Sequence, residues 1–226
     1  LEEMVRREIG RFVFSSSAAV YGNPLEIPIR EDHPLAPINP YGWTKRMTEQ
    51  VLADYWKAYG LASVSLRYFN ACGADPSGRI GESHDPETHL IPNILKRALE
   101  GGQVPVTLFG DDYPTPDGTC VRDYVHVCDL AEAHLRALEA MKAAPGAKAY
   151  NLGNGRGFSV REVLSAAEEV LGTKIESRVA PRREGDPAFL VADSRLAERE
   201  LGWRPRYAGI GDIIRTALEW HRRPLY

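Results

Sequence analysis

The run Arg11-Phe12-Val13-Phe14-Ser15-Ser16-Ser17 decides the fold when it is read with Asn39-Pro40-Tyr41-Gly42 and Ala62-Ser63-Val64-Ser65-Leu66-Arg67-Tyr68. Arg11 to Ser15 is a short, buried strand in pattern. Asn39-Pro40 opens a helix, because Asn is a cap residue and Pro suits the first turn. That helix is predicted to run from Tyr41 to Tyr59 and to stop at Gly60. Ala62 to Tyr68 is the next strand. Leu1 to Ile9 mixes charge with apolar residues at helical spacing and ends before Gly10, which predicts an opening helix. Helix, strand, loop, helix, strand is the rhythm of a parallel α/β sheet.

Working outward, Asn23 to Pro40 is too rich in Pro for regular structure. Ala71 to Thr88 is a long polar loop of the kind that carries function. Helices are predicted at Leu90–Leu99, Asp129–Met141, Ser194–Leu201 and Ile210–His221, and a capping box at Ser159 and Glu162 opens another that runs to Leu171. Short strands are predicted at Val104–Phe109, Lys148–Leu152 and Lys174–Val179, and Gly110 to Thr119 is turn-rich. This second half has no regular βαβ repeat and reads as a smaller substrate lobe. Trp43, Trp56, Trp203 and Trp220 read as packing residues.

The bulk properties exclude several classes. Of 226 residues, 43% are hydrophobic and 26% charged, an ordinary globular composition, and the net charge of −3 gives no pull toward nucleic acid or an anionic membrane. No apolar run is long enough to span a bilayer, and the N-terminal residues lack the pattern of a signal peptide. Three cysteines, Cys72, Cys120 and Cys128, with no C-x-x-C pair, predict reduced thiols and a cytoplasmic location. His84 and His89 flank Asp85 and Glu87, but the spacing matches no standard metal site and predicts a polar loop, so no metal is expected.

The sharpest chemical constellation is Tyr41-x-x-x-Lys45 near a helix start, with Ser17 after the preceding strand. Residues four apart share a helix face, so the Lys45 ammonium is expected beside the Tyr41 phenol, where positive charge favours the phenolate a general base needs. A Ser hydroxyl can hold a substrate oxygen in line. Three consecutive serines at a strand end also require polar destinations.

These residues, with Val20-Tyr21-Gly22 and Arg67-Tyr68-Phe69-Asn70, resemble the extended short-chain dehydrogenases/reductases. Gly81-Glu82-Ser83-His84-Asp85-Pro86-Glu87-Thr88-His89-Leu90-Ile91-Pro92 narrows the resemblance, as do the run from Gly110 through Thr119 to Val121-Arg122-Asp123-Tyr124 and the run Pro181-Arg182-Arg183-Glu184-Gly185-Asp186. Together they are similar to the UDP-glucose 4-epimerase branch. The family's G-x-x-G-x-x-G turn, whose backbone N–H groups and helix N-terminus hold the NAD pyrophosphate, does not precede Phe12, and Gly153-x-Gly155-x-Gly157 has the wrong spacing to replace it. The resemblance therefore implies an α/β fold in which residues 1–70 form the C-terminal part of a Rossmann-type parallel sheet. Residues 71–226 would form mainly a mixed α/β substrate lobe, with some segments returning to the sheet.

The resemblance also implies roles. Tyr41 would be the general base, Lys45 its electrostatic partner and a ribose ligand of NAD, and Ser17 the hydrogen-bond partner of the sugar 4-oxygen. Phe69 would line the nicotinamide and Asn70 would meet the UDP-sugar phosphates. Leu90 falls at the nucleotide, preceded by His89 where many members have Asn. Thr107 and Phe109 match the uracil side, Arg122 and Arg183 the pyrophosphate clamps, Asp186 a ribose contact and Leu190 a position facing the hexose. The implied reaction interconverts UDP-galactose and UDP-glucose through NAD-dependent oxidation at carbon 4, in a homodimer of the complete enzyme. Alternatives are a 4-epimerase for UDP-N-acetylhexosamine or UDP-pentose, a nucleotide-sugar dehydratase, and a non-catalytic fragment that binds UDP-sugar or dimerises. Without the Gly-rich turn, this chain alone is expected not to turn over UDP-galactose.

Overall fold

The computed structural model describes residues 1–101 and 104–225. Three strands, β1 (Arg11–Ser17), β2 (Ala62–Tyr68) and β6 (Ala147–Leu152), form a parallel sheet in the order β1-β2-β6. Ser17 stands opposite Tyr68, and Tyr68 opposite Leu152, so all three strands end together. Helix α2 (Pro40–Tyr59) links β1 to β2. The Asn39 side chain accepts from Gly42 N at its start, and Gly60 closes it at φ 69°, which only glycine adopts cheaply. Helix α4 (Val127–Ala143) and α6 (Arg195–Leu201) complete a core of Val64, Leu66, Leu130, Ala133, Tyr150, Leu152 and Trp203. This is a Rossmann-type α/β arrangement.

A second group of strands lies beyond β2. Strand β5 (Val121–His126) pairs in parallel with β3 (Asn70–Cys72) and β9 (Phe189–Leu190), and antiparallel with β7 (Gly157–Ser159). Helices α3 (Leu90–Leu99), α5 (Val160–Leu171) and α7 (Ile210–Arg222) pack around Leu95, Leu108, Tyr124, Val163, Ile213 and Ile214. Strands β4 (Val106–Phe109) and β8 (Ser177–Ala180) make a separate parallel pair. No helix among the described residues is long and apolar enough to cross a membrane.

Several boundaries differ from the pattern reading. The opening helix α1 spans only Glu2–Arg6 and buries none of its residues, so no packing holds further turns. Strand β1 runs two residues further, through Ser17, because β2 supplies ladder partners to that point. Helix α4 starts at Val127, where the His126 side chain accepts from Cys128 N as a cap. Strand β4 starts at Val106 and β8 at Ser177. Strand β5 was not legible: Arg122, Asp123 and His126 interrupt its apolar pattern, yet all six of its residues are buried. Trp203 and Trp220 are 1% exposed and do pack, but Trp43 is 47% exposed.

Candidate active site

Each serine at the end of β1 finds a polar partner. Ser15 Oγ lies 2.9 Å from the Tyr68 hydroxyl, which is itself 2.8 Å from His134 Nε2. Ser16 Oγ donates to Glu49 Oε1 at 2.6 Å, inside the protein. Ser17 Oγ accepts from Ala19 N at 3.2 Å, capping the single 3-10 turn Ala18–Val20.

That turn packs directly on the start of α2. A side chain at Gly42 would place its Cβ 2.4 Å from Ala19 O, so glycine here allows the helix to approach the strand end that carries Ser17. Tyr41, just before Gly42, is exposed. Lys45 Nζ donates to Ser15 O at 2.9 Å and lies 5.3 Å from the centre of the Tyr41 ring. An ammonium has three donors, so two remain for a ligand.

Behind this face sits a buried ion pair. Arg67 donates to Glu49 through Nε at 3.0 Å and through a terminal nitrogen at 2.7 Å. Its other terminal nitrogen reaches the Tyr21 hydroxyl at 2.8 Å, and Tyr21 donates to Asn151 Oδ1 at 2.6 Å. Burial pushes the Tyr21 phenol up to about 12, so it remains a donor. The network joins the middle of α2 to the common end of β1, β2 and β6. The three-serine run and the Arg67-Tyr68-Phe69-Asn70 run signalled part of it; Glu49 carried no sequence pattern of its own.

A cavity of about 1190 Å³ opens beside these residues. Ser17, Tyr41 and Phe69 border it from the first sheet and α2, together with Asn70 and Leu90. Thr107, Phe109, Arg122, Arg183 and Asp186 border it from the second half of the chain. Two expected residues do not line it. Lys45 contacts Ser15 behind Tyr41, and half-buried Leu190 packs against the small cluster of Ala18, Val20, Tyr21, Ile29, Phe69 and Ala192. The cavity wall also includes Tyr68 and Tyr124, which stand in the quoted motifs without an assigned role, and Cys72, Cys120 and Cys128. Burial pushes all three thiols upward, which disfavours thiolate chemistry there.

The charged wall suits a diphosphate. Arg122 is nearly buried, with one terminal nitrogen on Val121 O at 2.8 Å and the other on Asp186 Oδ1 at 2.6 Å. The Arg183 guanidinium lies 4.0 Å from the centre of the Phe109 ring, a cation–π contact that leaves its N–H edges available. Thr107 and Phe109 share one face of β4 by strand alternation.

The polar loop before α3 folds back on itself. Gly81 rests on the Trp220 indole, where a Cβ would come 2.2 Å from the ring, and Trp220 Nε1 donates to Glu82 O at 2.9 Å. Glu82, His84, Glu87 and His89 converge as a result, without Asp85. Hydrogen bonds to Glu82, and then the charges of Glu82 and Glu87, push His89 up to about 9.

Comparison with known proteins follows this geometry. The model of the NAD dependent epimerase/dehydratase family matches residues 1–153. A curated UDP-glucose 4-epimerase of Halalkalibacterium halodurans is 50% identical over 222 residues, covering 98% of this chain and 66% of its own length. The crystal structure of UDP-glucose 4-epimerase from Brucella ovis in complex with NAD superposes with a TM-score of 0.91 at 49% identity, over 96% of this chain and 66% of that one. The enzyme from Bifidobacterium longum in complex with NAD+ and UDP gives 0.91 at 41% identity, over 99% and 67%. The chain thus spans about two thirds of the length of the relatives it matches.

Proposed function

The chain belongs to the NAD dependent epimerase/dehydratase family, and from that premise we propose that it serves the interconversion of UDP-galactose and UDP-glucose. One observation carries the reading: a single cavity is bordered both by Ser17, Tyr41 and Phe69 and by Arg122, Arg183 and Asp186. The first set is equipped for proton transfer at a sugar hydroxyl, the second for holding a nucleoside diphosphate.

Residues here fit the nicotinamide end of NAD. Lys45 keeps two free donors for ribose hydroxyls, Tyr41 offers a third polar group, and Phe69 gives a flat apolar wall. NAD, when bound, supplies the reversible oxidation of carbon 4 of the sugar. Tyr41 accepts the proton of the 4-hydroxyl and returns it. Lys45, on the same helix face, opposes the negative charge that develops on the phenol oxygen. Ser17 donates a hydrogen bond to the 4-oxygen. Arg122 and Arg183 hold the pyrophosphate, Asn70 meets it from β3, and Asp186 takes a ribose hydroxyl. Thr107, Phe109 and Leu90 enclose the uridine. A homodimer and a cytoplasmic location belong to the same reading. The exposed apolar stripe Trp43, Met47 and Val51, spaced four apart on α2, offers the surface for the former.

The test joins this chain to the N-terminal segment of the Halalkalibacterium relative and measures turnover of UDP-galactose with NAD. Tyr41→Phe is expected to lower kcat by ~10²–10⁴-fold, the usual contribution of a general base. Near-parental turnover in that variant would remove Tyr41 from the chemistry.

A further inference from the structure

We propose that the loop ahead of α3 holds a divalent transition-metal ion of the zinc class, bound by Glu82, His84, Glu87 and His89, which border the same cavity on its α3 side. Each of the four side chains offers one ligand atom, and all these atoms lie within 4.8 Å of one another. Individual separations are 2.7 Å for His89 Nδ1 to Glu82 Oε1, and 3.0 Å for His84 Nδ1 to Glu82 Oε1 and for His89 Nδ1 to Glu87 Oε1. His84 Nδ1 lies 3.7 Å from Glu87 Oε2. Four ligands about 2.0–2.1 Å from a central zinc stand ~3.4 Å apart at tetrahedral angles. The four spacings quoted bracket that value.

A second observation points to an occupant. The Glu87 side chain is 5% exposed, and its Oε2 is buried with no hydrogen-bond donor. Lys96 Nζ pairs with it at 3.6 Å and His84 Nδ1 lies at 3.7 Å, both beyond hydrogen-bond distance. A buried carboxylate oxygen without a donor is costly, and a metal ion removes that cost. The other carboxylate oxygen already accepts from Thr88 N at 2.8 Å and His89 N at 2.9 Å, which fixes the group so that Oε2 turns to the cluster. The donor set is two imidazoles and two carboxylates, which suits zinc better than the all-oxygen preference of magnesium or calcium. The anchor is equally defined: Trp220 of α7 bonds Glu82 O, so the ion would tie a loop already pinned to the core.

The experiment uses the chain itself, free of affinity tags. Zn2+ titrated calorimetrically is expected to bind at one equivalent. Co2+ as a spectroscopic probe is expected to show the visible bands of nitrogen and oxygen ligation without a thiolate charge-transfer band. His84→Ala, His89→Ala and Glu87→Gln are each expected to weaken Zn2+ at least tenfold. Glu87→Gln keeps the shape of the side chain and so serves where a His variant fails to fold, with far-ultraviolet circular dichroism as the check. Absence of one-equivalent binding, affinity unchanged in the folded variants, or a thiolate band pointing to Cys72, Cys120 or Cys128 would each overturn the assignment.

Discussion

Glu49→Ala is the perturbation that most directly probes how α2 is held against the first sheet. Glu49 accepts from Ser16 Oγ and twice from Arg67, and the two ionic side chains are only 7% and 5% exposed. Alanine removes the carboxylate and leaves the guanidinium buried, with the Tyr21 hydroxyl at 2.8 Å and Glu31 O at 3.2 Å as its remaining partners. Removing one member of a buried pair costs about 3–5 kcal/mol, most of it the uncompensated charge. For a chain of this size, about 2–4 °C of Tm per kcal/mol gives a drop of roughly 6–20 °C. The assay is urea unfolding followed by circular dichroism, with the midpoint compared at unchanged slope. The double variant Glu49→Met with Arg67→Met removes both charges and is expected to recover most of the loss, because well-packed apolar replacements of a buried pair are often neutral. A single variant within ~1 kcal/mol of the parent, or a double variant no better than the single, would refute the reasoning.

Three further outcomes follow from the same geometry. Arg122→Leu and Arg183→Leu should each weaken UDP by roughly ten- to a hundredfold in calorimetry, the value of a charged hydrogen bond at ~1.5–3 kcal/mol; unchanged UDP affinity would remove the clamp. Burial outweighs three backbone N–H donors and raises Asp123 to about 6, above its unfolded value, so the folded state binds the proton more tightly. Stability should therefore fall as pH rises from about 4 to 6, by up to about 3 kcal/mol, and that slope should disappear in Asp123→Asn. Leu190 packs against the cluster that contains Phe69, so Leu190→Ala should lower stability but leave unchanged the kcat/KM ratio of UDP-galactose to UDP-N-acetylgalactosamine in the joined enzyme. A relaxed ratio would put Leu190 at the sugar.

The sequence by itself determined the elements whose signals are local. Asn39-Pro40 and Gly60 bounded α2, the capping box at Ser159 and Glu162 started α5, and alternating turn and apolar segments gave the α/β class. It also singled out Tyr41, Lys45 and Ser17, because helical spacing and a polar run at a strand end are one-dimensional facts. Tertiary structure alone decided what depends on distant partners. Strand β5 is a strand because β3, β7 and β9 pair with it, and its charged residues tolerate burial because Asn154, Gly155 and Ala192 donate backbone N–H groups to Asp123 and Asp186 pairs with Arg122; no local pattern records those partners. Leu190 stands opposite Arg122 in the β5–β9 register, a placement set by a partner distant in sequence. Glu82, His84, Glu87 and His89 meet because a loop pinned by Trp220, rather than a regular helix or strand, brings them together. Periodicity reports which face of an element a residue occupies, and only the folded chain reports what that face meets.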